Sequence, residues 1–216
     1  MKKVLLGLVA LSAVSFAAQG DTYLNARLGG DLGASYTGHE LNGVDLLNED
    51  TDGFGGELAL EGYKSITDNF DLGLGLAYQF HADRKTQEVS EAGNTGEISG
   101  AEYNSLPIYL TAKYNFNLNS EIKPYLKANL GYSFNFGESD LEAKGTGVNA
   151  GDDEKTSIDV ENGLYWAVGG GVEYKNFTLD LMYAVTKAET EVKDWDGKED
   201  NDYGRVVLSA GYRFDL

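Results

Sequence analysis

The chain has 216 residues, with 35 acidic against 17 basic ones, for a net charge of −18. Such acidity excludes a nucleic-acid backbone binder, which needs clustered Lys and Arg to displace counterions. Cysteine is absent, so disulfides, Cys-ligated metals and thiol nucleophiles are excluded as well. Glycine is abundant at 28, proline scarce at 2, and there are 14 Tyr and 9 Phe, a balance that suits β structure rather than disorder. No run reaches the ~18 to 20 apolar residues of a spanning helix. A strand with one face to lipid and one to water averages out to polar, so a barrel is not excluded.

The chain opens with Lys2 and Lys3, an apolar run from Val4 to Phe16, and small residues at Ala17 and Ala18. This is the layout of a secretory signal peptide over residues 1–20, too short in its apolar part for a permanent span. Its removal leaves 15 basic and 35 acidic residues, a net of −20, on residues 21–216.

From Thr22 onward the apolar residues fall at every second position, the signature of strands with unlike faces. The first strand carries Leu24, Ala26, Leu28, Gly30, Leu32, Ala34 and Tyr36 on one face and Asn25, Arg27, Gly29, Asp31, Gly33 and Ser35 on the other. Seven more follow at about 54–64, 70–81, 104–116, 123–136, 163–175, 177–187 and 203–216. Pro107 lies inside the fourth and predicts a local irregularity, because it has no ladder donor. Connections at 65–69, 117–122 and 175–176 are short, whereas those at about 37–53, 82–103, 137–162 and 188–202 are long. An even strand count with alternating short turns and long loops predicts an all-β, eight-stranded, antiparallel up-and-down transmembrane barrel.

Aromatics fall near both strand ends, as interfacial girdles require. Tyr23, Phe70, Tyr114, Phe116, Tyr174, Phe177, Tyr212 and Phe214 are at the short-turn end. Tyr36, Phe54, Tyr78, Phe80, Phe134, Phe136, Trp166 and Tyr183 are at the long-loop end.

The chain ends in Ser209-Ala210-Gly211-Tyr212-Arg213-Phe214-Asp215-Leu216. With the eight alternating segments, it resembles the small eight-stranded outer-membrane barrels of Gram-negative-type bacteria, a group spanning the OmpA transmembrane domain and the OmpX, OmpW and opacity-type proteins. The resemblance implies that Ser209, Gly211, Phe214 and Leu216 form an assembly signal read by the barrel-assembly machinery. A terminal Leu216 departs mildly from the usual aromatic. It implies outer-membrane lipid and lipopolysaccharide as surroundings, localisation in the cell outer membrane, and no peptidoglycan-binding domain after the barrel.

Near the short-turn end, each strand offers one charge on its non-lipid face: Arg27, Glu61, Asp71, Lys113, Lys127, Glu173, Asp180 and Arg213. In strand order their signs run + − − + + − − +, so each loop-connected hairpin holds one opposite pair: Arg27 with Glu61, Asp71 with Lys113, Lys127 with Glu173, and Asp180 with Arg213. An eight-stranded barrel is only wide enough for side chains to fill, and buried charges must be paired. The ring therefore reads as a polar plug, or as a gate if its pairs exchange. Glycines expected to face inward (Gly29, Gly33, Gly73, Gly75, Gly131, Gly169, Gly171, Gly211) leave room for a narrow cavity above it.

The stretches 37–53, 82–104, 137–162 and 187–202 hold 25 acidic and 7 basic residues, so the acidity belongs to the loops. Three readings follow: a solvated surface, a site for divalent cations that bridge to lipopolysaccharide phosphates, or a docking surface for basic host or bacterial partners. Asp50-Thr51-Asp52-Gly53 and Asp194-Trp195-Asp196-Gly197 resemble the start of calcium loops but lack the distal bidentate Glu. The chain has two histidines, His39 and His81. Ser35 and Glu57 are placed to approach His81, a hydrolase-like combination, yet their spacing matches no lipid A deacylase or acyltransferase motif. The expectation is a protein without catalytic residues, cofactor or metal that supports the envelope and acts through its loops. The alternative is a narrow channel for small solutes or cations.

Overall fold

The computed structural model describes residues 21–41, 44–91, 94–146, 153–192 and 198–216. The expected signal peptide and the Asp194–Gly197 segment lie outside the described residues. Eight long strands close into one barrel: β1 (Thr22–Tyr36), β2 (Gly56–Thr67), β3 (Phe70–Phe80), β4 (Asn104–Asn115), β5 (Ile122–Phe136), β6 (Gly163–Tyr174), β7 (Phe177–Thr186) and β8 (Tyr203–Asp215). Neighbours in sequence are neighbours in space, and β1 closes on β8 from Tyr23 opposite Asp215 to Tyr36 opposite Tyr203. Closure leaves no strand edge unpaired, the condition for crossing lipid with β structure.

The alternation sorts side chains as the barrel requires. Leu28, Leu58, Leu72, Leu110, Leu126, Leu130, Leu179 and Leu208 stand on the outside, whereas Asn25, Arg27, Glu61, Lys113, Lys127 and Asp180 are buried within. The outward belt carries Phe177, Tyr212 and Phe214 at one end and Phe54, Tyr78 and Phe134 at the other, which gives the two girdles. Tyr23 and Tyr36 are corrections to that assignment. Tyr23 lies inside, on the same face as Asn25 and Arg27, as the period-two alternation of β1 requires. Tyr36 also lies inside, because the β1–β8 register shifts between Asp31 and Gly33. That bulge turns the last residues of β1 over.

Pro107 acts as anticipated. It pairs regularly with Ser133 of β5, but the ladder to β3 skips from Ser105 opposite Gln79 to Ile108 opposite Leu76 without a change of register. The long connections are themselves β structure. Strands at Gln87–Glu91, Asn94–Ser99, Leu141–Thr146 and Asp153–Thr156 form a four-stranded sheet, and Ile158–Val160, Glu189–Val192 and Lys198–Asp200 a three-stranded one. These platforms join the second, third and fourth long loops outside the barrel.

Candidate functional site: a layered lumen and its cap

The lumen is built in layers, starting at the short-turn end. There Lys113 Nζ meets Glu173 at 3.1 Å, and Arg213 meets the other oxygen of Glu173 at 3.3 Å. Arg213 also lies over the Tyr23 ring at 3.8 Å and Lys113 over Tyr125 at 4.1 Å, so both cations gain aromatic faces as well as a carboxylate. Among the described residues Asp71 takes no cation. It accepts from the hydroxyls of Tyr23 at 2.8 Å and Ser65 at 2.7 Å and from the Asn115 amide at 2.8 Å.

Glu61 centres the next layer. It accepts from Arg27 at 2.9 Å, Lys127 at 2.6 Å, and the hydroxyls of Tyr63 and Tyr109, each at 2.9 Å. Asp180 stands 3.9 Å from both Arg27 and Lys127 and accepts from Tyr125 at 3.0 Å. Four donors on one buried carboxylate are what makes its charge tolerable in a dry interior.

All eight expected charges therefore face the interior, with Arg213 half-buried at its mouth. The pairing differs from the hairpin scheme in three of four cases. Arg27 does meet Glu61, but Lys113 pairs with Glu173 and not Asp71, Lys127 with Glu61 and not Glu173, and Arg213 with Glu173 and not Asp180. Long side chains reach across the lumen, so strand adjacency does not decide their partners. Lys113 and Asp71 stand directly opposite in the β4–β3 ladder and still choose others.

A third charged layer was not singled out in the sequence. Arg205 donates to Glu57 and, at 2.9 Å, to Asp31, whose second oxygen accepts the Tyr203 hydroxyl at 2.9 Å. Glu57 also stands 3.4 Å from Arg27. The signal was present, since Asp31, Glu57 and Arg205 all lie on the polar face of their strands.

Above it an aromatic cap closes the lumen. Tyr203 stacks on His81 at 3.8 Å between ring centres, with Tyr36 at 4.8 Å from Tyr203 and Tyr103 at 4.9 Å from His81. Arg84 sits 4.5 Å over the Tyr36 ring. Its donors reach the carbonyls of Thr37 at 3.0 Å and Asn48 at 2.7 Å and the Asn201 side chain at 2.6 Å. Asn201 in turn donates to the Ala101 carbonyl and the Thr190 hydroxyl, both at 2.9 Å. One buried arginine thus ties the first, second and fourth loops over the barrel mouth.

The glycines do not leave the expected cavity. A side chain at Gly75 would run into the Tyr109 ring, one at Gly171 would come within 2.7 Å of Tyr125, and one at Gly211 within 2.7 Å of Arg27. Gly29 faces Val207 in the same way, a side chain at Gly73, Gly131 or Gly169 would first meet a backbone carbonyl oxygen, and Gly33, opposite Val206 beyond the bulge, is turned outward into open space. The inward glycines are recesses that receive large side chains.

Ser35, His81 and Glu57 do not form a catalytic array. His81 has no hydrogen bond at either ring nitrogen, Glu57 is taken by Arg205 and Arg27, and Ser35 is exposed. The His39 side chain lies outside those described. Asp50 pairs with Lys85 at 3.3 Å and Asp52 accepts the Gly53 amide at 2.8 Å, and Thr51–Asp52 is a short strand paired with Asp83–Arg84, so this stretch does not wrap as a calcium loop. Among the described residues no three His, Asp or Glu side chains are grouped to hold a metal.

In the assembly segment, Ser209 is buried and accepts from Arg27 at 3.1 Å, while Phe214 and Leu216 stand outward.

An uncharacterised protein of Pasteurella multocida strain Pm70 is 28% identical over 232 aligned residues, covering 99% of this chain and 98% of its own length. Among solved structures, the outer membrane protein OprG of Pseudomonas aeruginosa is similar at TM-score 0.49 and 17% identity, over 91% of this chain and 97% of that one. Neisserial surface protein A is similar at TM-score 0.43 and 16% identity, over 89% and 97%. The family described as outer membrane protein beta-barrel domain matches residues 4–214. With a closed eight-stranded barrel, a lipid-facing belt and this match over nearly its whole length, the chain belongs to the outer-membrane β-barrel domain family and is a transmembrane protein of the outer membrane.

Proposed function

We propose that the protein is a non-enzymatic barrel that is closed at rest and works outside the membrane. It supports the envelope and holds acidic loops, stiffened into β-sheets, as a surface for basic partners. The observation that carries this reading is the division of charge. Within the barrel, each of the five lumen cations meets a carboxylate, and the cap roofs them. In the loop stretches, 25 acidic residues face 7 basic ones. A large field of one sign attracts cationic groups and steers their approach. Lipid and lipopolysaccharide would surround the belt, and the barrel-assembly machinery would read Ser209, Gly211, Phe214 and Leu216.

A narrow channel is the second reading, and one observation favours it. The described side-chain atoms buried without a hydrogen bond belong to Arg27, His81, Arg84, Asn129, Asp180 and Arg205, all within the lumen or its cap, where water could thread between them. Conductance in a planar bilayer at neutral pH separates the two, with heat-modifiable gel mobility as the check on folding. The loop-surface reading expects a silent bilayer, together with binding of a fluorescent oligolysine to proteoliposomes. Discrete cation-selective steps would overturn it in favour of the channel.

A further inference from the structure

His81 immediately follows β3 and is the one imidazole among the described side chains of the cap. Its ring is buried, parallel to Tyr203 at 3.8 Å, edge-on to Tyr103 at 4.9 Å and to Tyr36 at 6.5 Å. Neither ring nitrogen has a hydrogen bond, although buried polar groups are nearly always satisfied.

The charged groups around it are all engaged elsewhere. From β1 come Tyr36 and Asp31, and Asp31 is held by Arg205 and Tyr203. From β2 comes Glu57, paired with Arg205 and Arg27. From β8 come Tyr203 and Arg205 itself. From the segment before β4 come Tyr103 and Glu102, and Glu102 accepts from Ser139. Arg84, three residues on, spends its donors on Thr37, Asn48 and Asn201. Among the described residues, the surroundings thus hold two arginines and no carboxylate free for a third cation.

The same cap contains a strained residue. Ala101 is buried with φ +61°, a left-handed conformation that Cβ disfavours, and its carbonyl accepts from Asn201. Such strain persists only while its surroundings enforce it.

We propose that His81 is an acid-sensitive latch: when its imidazole takes up a proton, the stack on Tyr203 parts, the cap opens, and the loops are released from the barrel mouth. The arginine–carboxylate layers beneath stay in place, so the latch frees the loops without creating a through-pore. It goes beyond the loop-surface reading and does not require that any cationic partner exist.

The direction follows from linkage. Burial and Arg205 hold the imidazole well below its ordinary range, with the Tyr103 backbone pulling weakly the other way. In an open cap the same group would titrate near about 6.5. The closed cap therefore binds the proton more weakly. Its advantage is complete above that pH and is lost as pH falls, about tenfold in the open-to-closed ratio per pH unit.

The test is amide hydrogen exchange on the full mature barrel in lipid nanodiscs from pH 7.5 to 4.5, corrected for intrinsic rates. The Ala82 amide, bonded to the Tyr203 hydroxyl at 3.1 Å, and the Lys85 amide, bonded to the Asp50 carbonyl at 3.0 Å, report on the cap. Amides of β4 and β5 serve as internal standards. The expected result is a loss of cap protection of about tenfold per unit below pH ~6.5, with the standards unchanged. His81→Phe keeps the stack and cannot be protonated, so its cap protection should not vary with pH. His81→Gln is the second neutral variant should Phe impair folding. Cap protection that persists in the wild type to pH 4.5, or that falls equally in the variants, would overturn the proposal.

Discussion

Glu61 is the side chain on which most of the lumen converges, and its loss should be felt more than that of any ring cation. It accepts from two cations and two tyrosine hydroxyls, so Glu61→Gln leaves Arg27 and Lys127 facing a neutral amide in a buried site. Breaking a buried pair from one side costs about 3 to 5 kcal/mol. The expected outcome is a loss of this order in urea unfolding of the barrel in vesicles, and a shift below about 1 kcal/mol would refute Glu61 as the hub. Lys113 permits a finer comparison. A double-mutant cycle of Lys113→Ala with Glu173→Ala should show coupling of about 1 kcal/mol or more. The cycle of Lys113→Ala with Asp71→Ala should show clearly less, because Asp71 is satisfied by Tyr23, Ser65 and Asn115. Equal coupling in both cycles would restore the ladder-neighbour pairing.

At the level of the strands, the inward glycines and tyrosines are complementary shapes. A methyl at Gly75 would meet the Tyr109 ring, with its hydroxyl oxygen at 2.8 Å, whereas Gly33 has nothing within 4 Å. Overpacking a filled interior costs about 1 to 3 kcal/mol. Gly75→Ala should therefore unfold at lower urea or fail to fold, and Gly33→Ala should match the wild type; the reverse order would show that Tyr109 yields easily. The strands themselves are legible in the sequence, the end of β2 at Thr67 being the furthest from its expected place, because lipid outside and charge inside enforce an alternation of period two. The bulge between Asp31 and Gly33 was not legible, since polar and small residues occupy both faces there, and so Tyr36 was assigned to the wrong side. The loop sheets escaped for a related reason. Gln87–Glu91 holds a single apolar residue and Leu141–Thr146 a single large one, too little to announce a strand. The eight ring charges could be read from parity and strand position, but their partners could not, because Lys113 and Lys127 select carboxylates across the lumen in three dimensions.

On the scale of the whole molecule, the protein keeps two populations of charge in different solvents. The inner set is hydrogen-bonded and largely buried, from Glu173 at the mouth to Arg205 below the cap. The outer set is strongly acidic and hydrated, with pairs such as Lys85–Asp50 and Lys155–Glu142 largely exposed. Salt screens exposed charges over a length that falls from roughly 8 Å at 0.15 M to 3 Å at 1 M, and it screens buried pairs much less. Raising NaCl across that range should therefore leave the urea midpoint of the barrel nearly unchanged while weakening oligolysine binding to the loops by at least tenfold. Each half of the result tests a different claim. A barrel midpoint that drops with salt would mean that ions reach the Glu61 layer and that the cap does not seal it. Oligolysine binding indifferent to salt would mean that the loop acidity does not attract cations through its field, and the surface would then have to recognise partners by shape.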